Sequence, residues 1–202
     1  MNQFGTRRNV TYTIVAVNVA VFFVTYLFPR LITYLAISPM TLFGMGFVWT
    51  PVSYMFTHGG FTHILFNMIF LIFTGPAVEE RMGSREFLAY YLISGVLAGV
   101  FSVFAYLFTG VANPIVGASG ALYAVILAFA AYYPRARFLI FFVLPMRAPH
   151  ALALFAAIDL LSHFRGGAGV AHLTHLSGLA FGYLYFVIRL RMNPIKAMRN
   201  GR

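Results

Sequence analysis

Cysteine is absent from the 202 residues, which excludes disulfides and thiolate metal ligation while leaving the compartment open. Acidic residues are almost as scarce: four Asp and Glu stand against 14 Lys and Arg, and only 9% of the chain is charged. Soluble domains carry roughly 25% charged residues, so most of this surface does not face water. The chain shows no repeat and no low-complexity linker, so residues 1–202 are expected to form one domain. Nucleic acid is excluded as a partner despite the net charge of +10, because the basic residues sit in short loops and the tail and form no stripe interleaved with aromatics.

What is abundant is apolar: 61% of the residues are hydrophobic. A membrane helix needs about 20 residues. Six candidate spans lie near 10–28, 61–76, 87–109, 116–133, 148–163 and 170–189, giving an all-α membrane protein whose partner is the lipid bilayer. The segment 29–60, with FVWTPVSYMFTHGG, is too broken to span and aromatic enough to lie as a partly embedded loop. RFLIFFVLPMRAP (137–149), flanked by Arg137 and Arg147 and broken by two prolines, is expected to lie along the surface. The start, TRRNVTYTIVAVNVAVFFVTYLF, is read as a first span and not as a cleaved signal, since its apolar run is long and no small-residue cleavage site follows. Basic residues fall before the first span, between the second and third, between the fourth and fifth, and after the sixth; only Arg30 and Arg165 fall on the other side. The positive-inside rule then places both termini in the cytoplasm. Glycine pairs at helix-packing spacing occur at Gly95/Gly99 and Gly178/Gly182.

Polar side chains in lipid usually face a bundle interior and carry function. Here they fall in three phrases: HGGFTHILFNM with His58, His63 and Asn67; VGASGALY with Ser119; and AHLTHLSGLAFG with His172 and His175. All three spans run from outside to inside, and at about 1.5 Å per residue every one of these groups lies within roughly 10 Å of the outer hydrocarbon edge. A serine becomes a nucleophile when a histidine takes its proton, and the resulting oxyanion needs hydrogen-bond donors. Ser119 with one of the late histidines would make the first pair. His63 and Asn67, four apart on one helical face, with backbone N–H groups near Ser119, would supply the donors. Gly117 and Gly120 allow the backbone to turn and a substrate carbonyl to approach. Taken singly, a serine at a helix start is more often a cap, and a membrane histidine is often an interhelical hydrogen bond.

These phrases resemble the signature motifs of the rhomboid intramembrane serine proteases, and the six spans resemble the simple prokaryotic type, a six-transmembrane-helix rhomboid-like bundle. The resemblance implies Ser119 as nucleophile, His175 as base, His63 and Asn67 as oxyanion residues, Tyr123 packed against the base, and Gly178 and Gly182 following it. It also implies a structural role for Glu79, Arg81 and Gly83 in the turn after the second span. Counting from His172 instead would put His175 and Leu179 where the glycines belong. Thr174 departs from the family's usual small residue. The implied activity is an endopeptidase acting on transmembrane protein substrates in the plasma membrane of a prokaryote, with no cofactor and no metal.

Three other readings differ in what they require. Metal binding would use His172, His175, His58 and His63, without cysteine, a suitably placed glutamate or an H-E-x-x-H helix. A catalytically silent rhomboid-like scaffold binding transmembrane helices would not need the intact Ser119–His175 pair. A transporter would show paired charges or broken helices near the midplane. Asp159 is the one acidic residue at the depth of His175. It is expected to be a neutral, hydrogen-bonded tie between the fifth span and a neighbour, leaving Ser119 and His175 as a dyad with no carboxylate behind the base.

Overall fold

The computed structural model describes residues 10–110, 113–140, 143–164 and 169–201, without side chains at 163, 164 and 169–171. Arg7, Arg8, Arg165 and Arg202, used above for orientation, lie outside these residues or their described side chains. Six longer helices form the bundle: α1 (Val10–Leu27), α4 (Phe61–Met82), α5 (Ser84–Thr109), α6 (Ser119–Tyr132), α7 (Ala148–Phe164) and α8 (Gly169–Ile188). Two short helices, α2 (Leu31–Leu35) and α3 (Thr50–Ser53), lie between α1 and α4, and α9 (Pro194–Asn200) follows α8. Of these, α1, α4 and α5 are long and apolar enough to cross a membrane, while α6 and α7 are shorter apolar helices.

The second span runs further than expected, through Pro76 to Met82. Its last turn has a reason to be helical. Glu79 accepts hydrogen bonds from the Val10 and Thr11 N–H groups, both at 2.9 Å, and from Thr11 Oγ1 at 2.7 Å. These donors belong to the first turn of α1, where intrahelical acceptors are missing, so one carboxylate on α4 caps another helix. Ser84 Oγ donates to the same group at 2.5 Å, across the single-residue turn at Gly83, whose φ of +82° favours glycine.

The center of the bundle is α6. None of its residues is exposed, and it packs against α4, α5, α7, α8 and α9. Its SGALYAVILAFAAY sequence explains this, since small residues let neighbouring backbones approach where apolar burial alone gives no drive in lipid. The closest approach is to α8: a methyl group on Gly178 would overlap the Gly120 carbonyl, and one on Gly182 would meet Ala124 Cβ at 2.7 Å. Gly95 and Gly99 of α5 work differently. They accommodate the side chains of Met55 and Tyr54, and Tyr54 donates to the Gly95 carbonyl at 2.5 Å.

Segment 29–60 is therefore inserted, with Ile37, Tyr54, Met55, Thr57 and His58 buried. It also holds the chain entering α6. Ile37 and Ile115 exchange backbone hydrogen bonds at 3.1 and 2.8 Å, and Gly117 N–H donates to the Tyr54 carbonyl at 2.9 Å. The 137–149 stretch is not a simple surface run: Arg137–Ile140 and Leu144–Arg147 pair as an antiparallel hairpin, β1 and β2. Pro145, which lacks a donor, is tolerated in this two-stranded ribbon, while Pro149 falls in the first turn of α7.

Candidate active site

Ser119 is the first residue of α6, so its N–H and that of Gly120 belong to the first turn and have no intrahelical acceptor. The preceding Gly117 has φ +119°, a conformation that L side chains rarely adopt. It also has no room for one: a Cβ there would lie 2.7 Å from both Cε1 and Nε2 of His63 and 3.7 Å from Ser119 Oγ. The glycine thus leaves a gap with the His63 ring on one side and the Ser119 hydroxyl on the other.

Ser119 Oγ lies 2.7 Å from His175 Nε2. The ring of His175 stacks on Tyr123, one turn along α6, with centroids 4.7 Å apart and planes 13° from parallel. Position 175, and not 172, faces the serine, because Gly178 and Gly182 turn that side of α8 onto α6. Thr174 fills the space beside Gly120 and shares a hydrogen bond with Ser102 of α5 at 2.9 Å, so the larger residue fastens α8 to α5.

The oxyanion candidates are placed unequally. His63 borders the gap at Gly117, and its ring meets that of buried His58 edge-on at 5.0 Å. Asn67 is buried one turn further along α4, where its amide N–H donates to the His63 carbonyl at 2.8 Å. That leaves its second N–H as a donor. Among the hydrogen bonds of the described residues, none joins Asn67 to Ser119.

Asp159 departs from expectation. It does tie α7 to its neighbours, accepting from Tyr123 Oη of α6 and lying 2.6 Å from His172 Nδ1 of α8. Yet its oxygens also lie 3.1 and 3.2 Å from His175 Nδ1, so a carboxylate does stand behind the expected base. Depth along the helices was readable in advance; which way α7 turned was not. The same three residues bear on metal binding: one ligand atom each from Asp159, His172 and His175 lie within 4.8 Å of one another.

A rhomboid domain profile matches residues 45–192. The chain is 33% identical over 133 residues to the human presenilin-associated rhomboid-like protein, mitochondrial, a match covering 64% of this chain and 35% of that one. It is 28% identical over 190 residues to Rhomboid protein 1, mitochondrial, of Saccharomyces cerevisiae, covering 88% and 52%. With the putative rhomboid protease YdcA of Bacillus subtilis it shares 29% identity over 140 residues, covering 67% and 64%. The chain thus spans about a third to a half of the mitochondrial relatives and a larger share of the bacterial one. Since the profile takes in most of the chain, including every residue around the Ser119–His175 pair, the chain is a multi-pass integral membrane protein that belongs to the rhomboid family.

Proposed function

We propose that this chain is an intramembrane serine endopeptidase, hydrolysing peptide bonds in or just outside the transmembrane segments of membrane-protein substrates. The observation that carries the reading is the 2.7 Å contact between Ser119 Oγ and His175 Nε2. His175 takes the hydroxyl proton as Oγ bonds to the scissile carbonyl carbon, and the carbonyl oxygen becomes the oxyanion. The N–H groups at the start of α6, with His63 and Asn67, donate to that oxygen. Collapse of the intermediate breaks the C–N bond, and His175 returns the proton to the leaving amine. A water molecule then repeats the sequence on the acyl-enzyme, and free Ser119 is restored. None of these steps calls on a cofactor.

The bilayer is proposed to be a prokaryotic plasma membrane, as the resemblance to the simple prokaryotic type implies, with both chain termini cytoplasmic, an orientation supported by the distribution of basic residues. Labelling of the detergent-solubilised chain with a fluorophosphonate tests the chemistry. Wild type is expected to be labelled and Ser119→Ala not. Equal labelling of both removes Ser119 as nucleophile, and no labelling of either transfers the assignment to a scaffold that binds transmembrane helices.

A further inference from the structure

The carboxylate of Asp159 has three neighbours that can donate to it. Tyr123 Oη, His172 Nδ1 and His175 Nδ1 all lie within hydrogen-bonding distance of its two oxygens, and its side chain is only 7% exposed. An ionised carboxylate accepts and never donates. Each imidazole nitrogen facing it therefore carries a proton. With Asp159 ionised, the His175 tautomer that fits is the one with hydrogen on Nδ1, whose neutral ring has its lone pair on Nε2, aimed at Ser119 Oγ. The donor count also removes the usual objection to a charge at this depth, because a buried carboxylate is tolerated when its lone pairs are met.

We infer that Asp159 is a positioning residue for His175: it holds Nδ1–H so that Nε2 accepts the Ser119 proton, while Tyr123 and His172 keep the carboxylate in place. This rests on the proposed protease reading and adds to it a residue that touches neither substrate nor the hydroxyl. Tyr123 has two tasks in this arrangement. Its ring face holds the imidazole plane and its hydroxyl holds the carboxylate. His172 lies nearer to Asp159 than His175 does, so it acts as the fixed anchor about which the longer, working contact is made.

Replacing Asp159 by Asn separates positioning from packing. The amide keeps the size of the carboxylate but offers one acceptor oxygen where three donors converge and no charge to balance a protonated His175, so whichever group faces the amide nitrogen must accept or give up its bond. In soluble Ser-His-Asp enzymes this change costs about 10⁴ in kcat through the wrong tautomer. Here the Tyr123 stack still orients the ring, and the expected loss in kcat for a model transmembrane substrate is more than about tenfold, with KM nearly unchanged. Asp159→Glu should recover part of that loss.

The test uses the full chain in detergent, with the fluorophosphonate labelling rate of Ser119 read alongside turnover. Because wild-type labelling reports the nucleophile by itself, its failure would strike the protease reading and not the role of Asp159. That role has an independent readout in the wild-type protein: the ¹⁵N-histidine spectrum should show a hydrogen-bonded Nδ1–H on His175, removed by His175→Ala and altered by Asp159→Asn. A His175 protonated on Nε2 alone overturns the inference, even if the Asn variant does not fold. So does Asp159→Asn turning over within about tenfold of wild type. Labelling that falls with a chelator and returns with Zn²⁺ would also overturn it, by making the cluster a metal site.

Discussion

At the residue scale, the two sides of the proposed oxyanion pocket differ in readiness. His63 already borders the gap at Gly117, whereas Asn67 is bonded to the backbone of its own helix. Removing one oxyanion donor typically costs ~3 kcal/mol of transition-state stabilisation. His63→Ala and Asn67→Ala are each expected to lower kcat by that amount while leaving the thermal unfolding midpoint in detergent near wild type. A matching fall in unfolding temperature would show the residue to be structural instead. Spacing along a helix fixes depth and face, so the sequence could bring Ser119, His63, Asn67 and a late histidine to one depth, while the motif resemblance singled out His175. Asp159 was legible only as a depth, since rotation of α7 about its axis depends on packing partners far away in sequence. Likewise, the choice between His172 and His175 needed the glycines that follow, and the structure adds that both serve one carboxylate.

Helix α6 owes its position to the absence of side chains on α8, which gives the element scale its sharpest test. A methyl group at Gly178 would fall on the Gly120 carbonyl, next to the nucleophile, and a backbone atom has little freedom to move aside. Overpacking of this kind costs roughly 1–3 kcal/mol and shifts backbones. Gly178→Ala is therefore expected to lower both the unfolding midpoint and the Ser119 labelling rate. Gly46→Ala offers a comparison: its positive φ, unlike the helical Gly178, strains the backbone, but no atom lies near its missing Cβ, so labelling should survive. An unchanged labelling rate in Gly178→Ala would mean that the contact between α6 and α8 does not place the serine. Of the elements, the six long helices could be read from apolar run length. The end of α4 could not, because it runs on past Pro76 and the bonds that Glu79 accepts there are tertiary. For the same reason, the hairpin at 137–147 was hidden among apolar residues that suit a membrane surface equally well.

At the scale of the whole molecule, the orientation inferred from basic residues can be tested without first removing any native thiol, since there is none. Single cysteines at Gly60 and at Gly83, which precede and follow α4, should respond oppositely to a membrane-impermeant maleimide applied to intact cells. Gly60→Cys is expected to react from outside, and Gly83→Cys only after lysis. The reverse pattern would invert the topology. Finally, the shortness of α6 bears on a reactant that has no residue of its own. Its 14 residues rise about 21 Å, against roughly 30 Å of hydrocarbon. Ser119 heads this helix, and the chain that enters it is held by the inserted segment through the strand-like pairing of Ile37 with Ile115. Hydrolysis consumes one water for every bond cut, and lipid supplies almost none. If the shortfall lies at the Ser119 end, a central helix that stops short would let the aqueous phase dip toward the serine, and on the proposed reading the length of α6 would then bear on the hydration of the reaction as well as its depth.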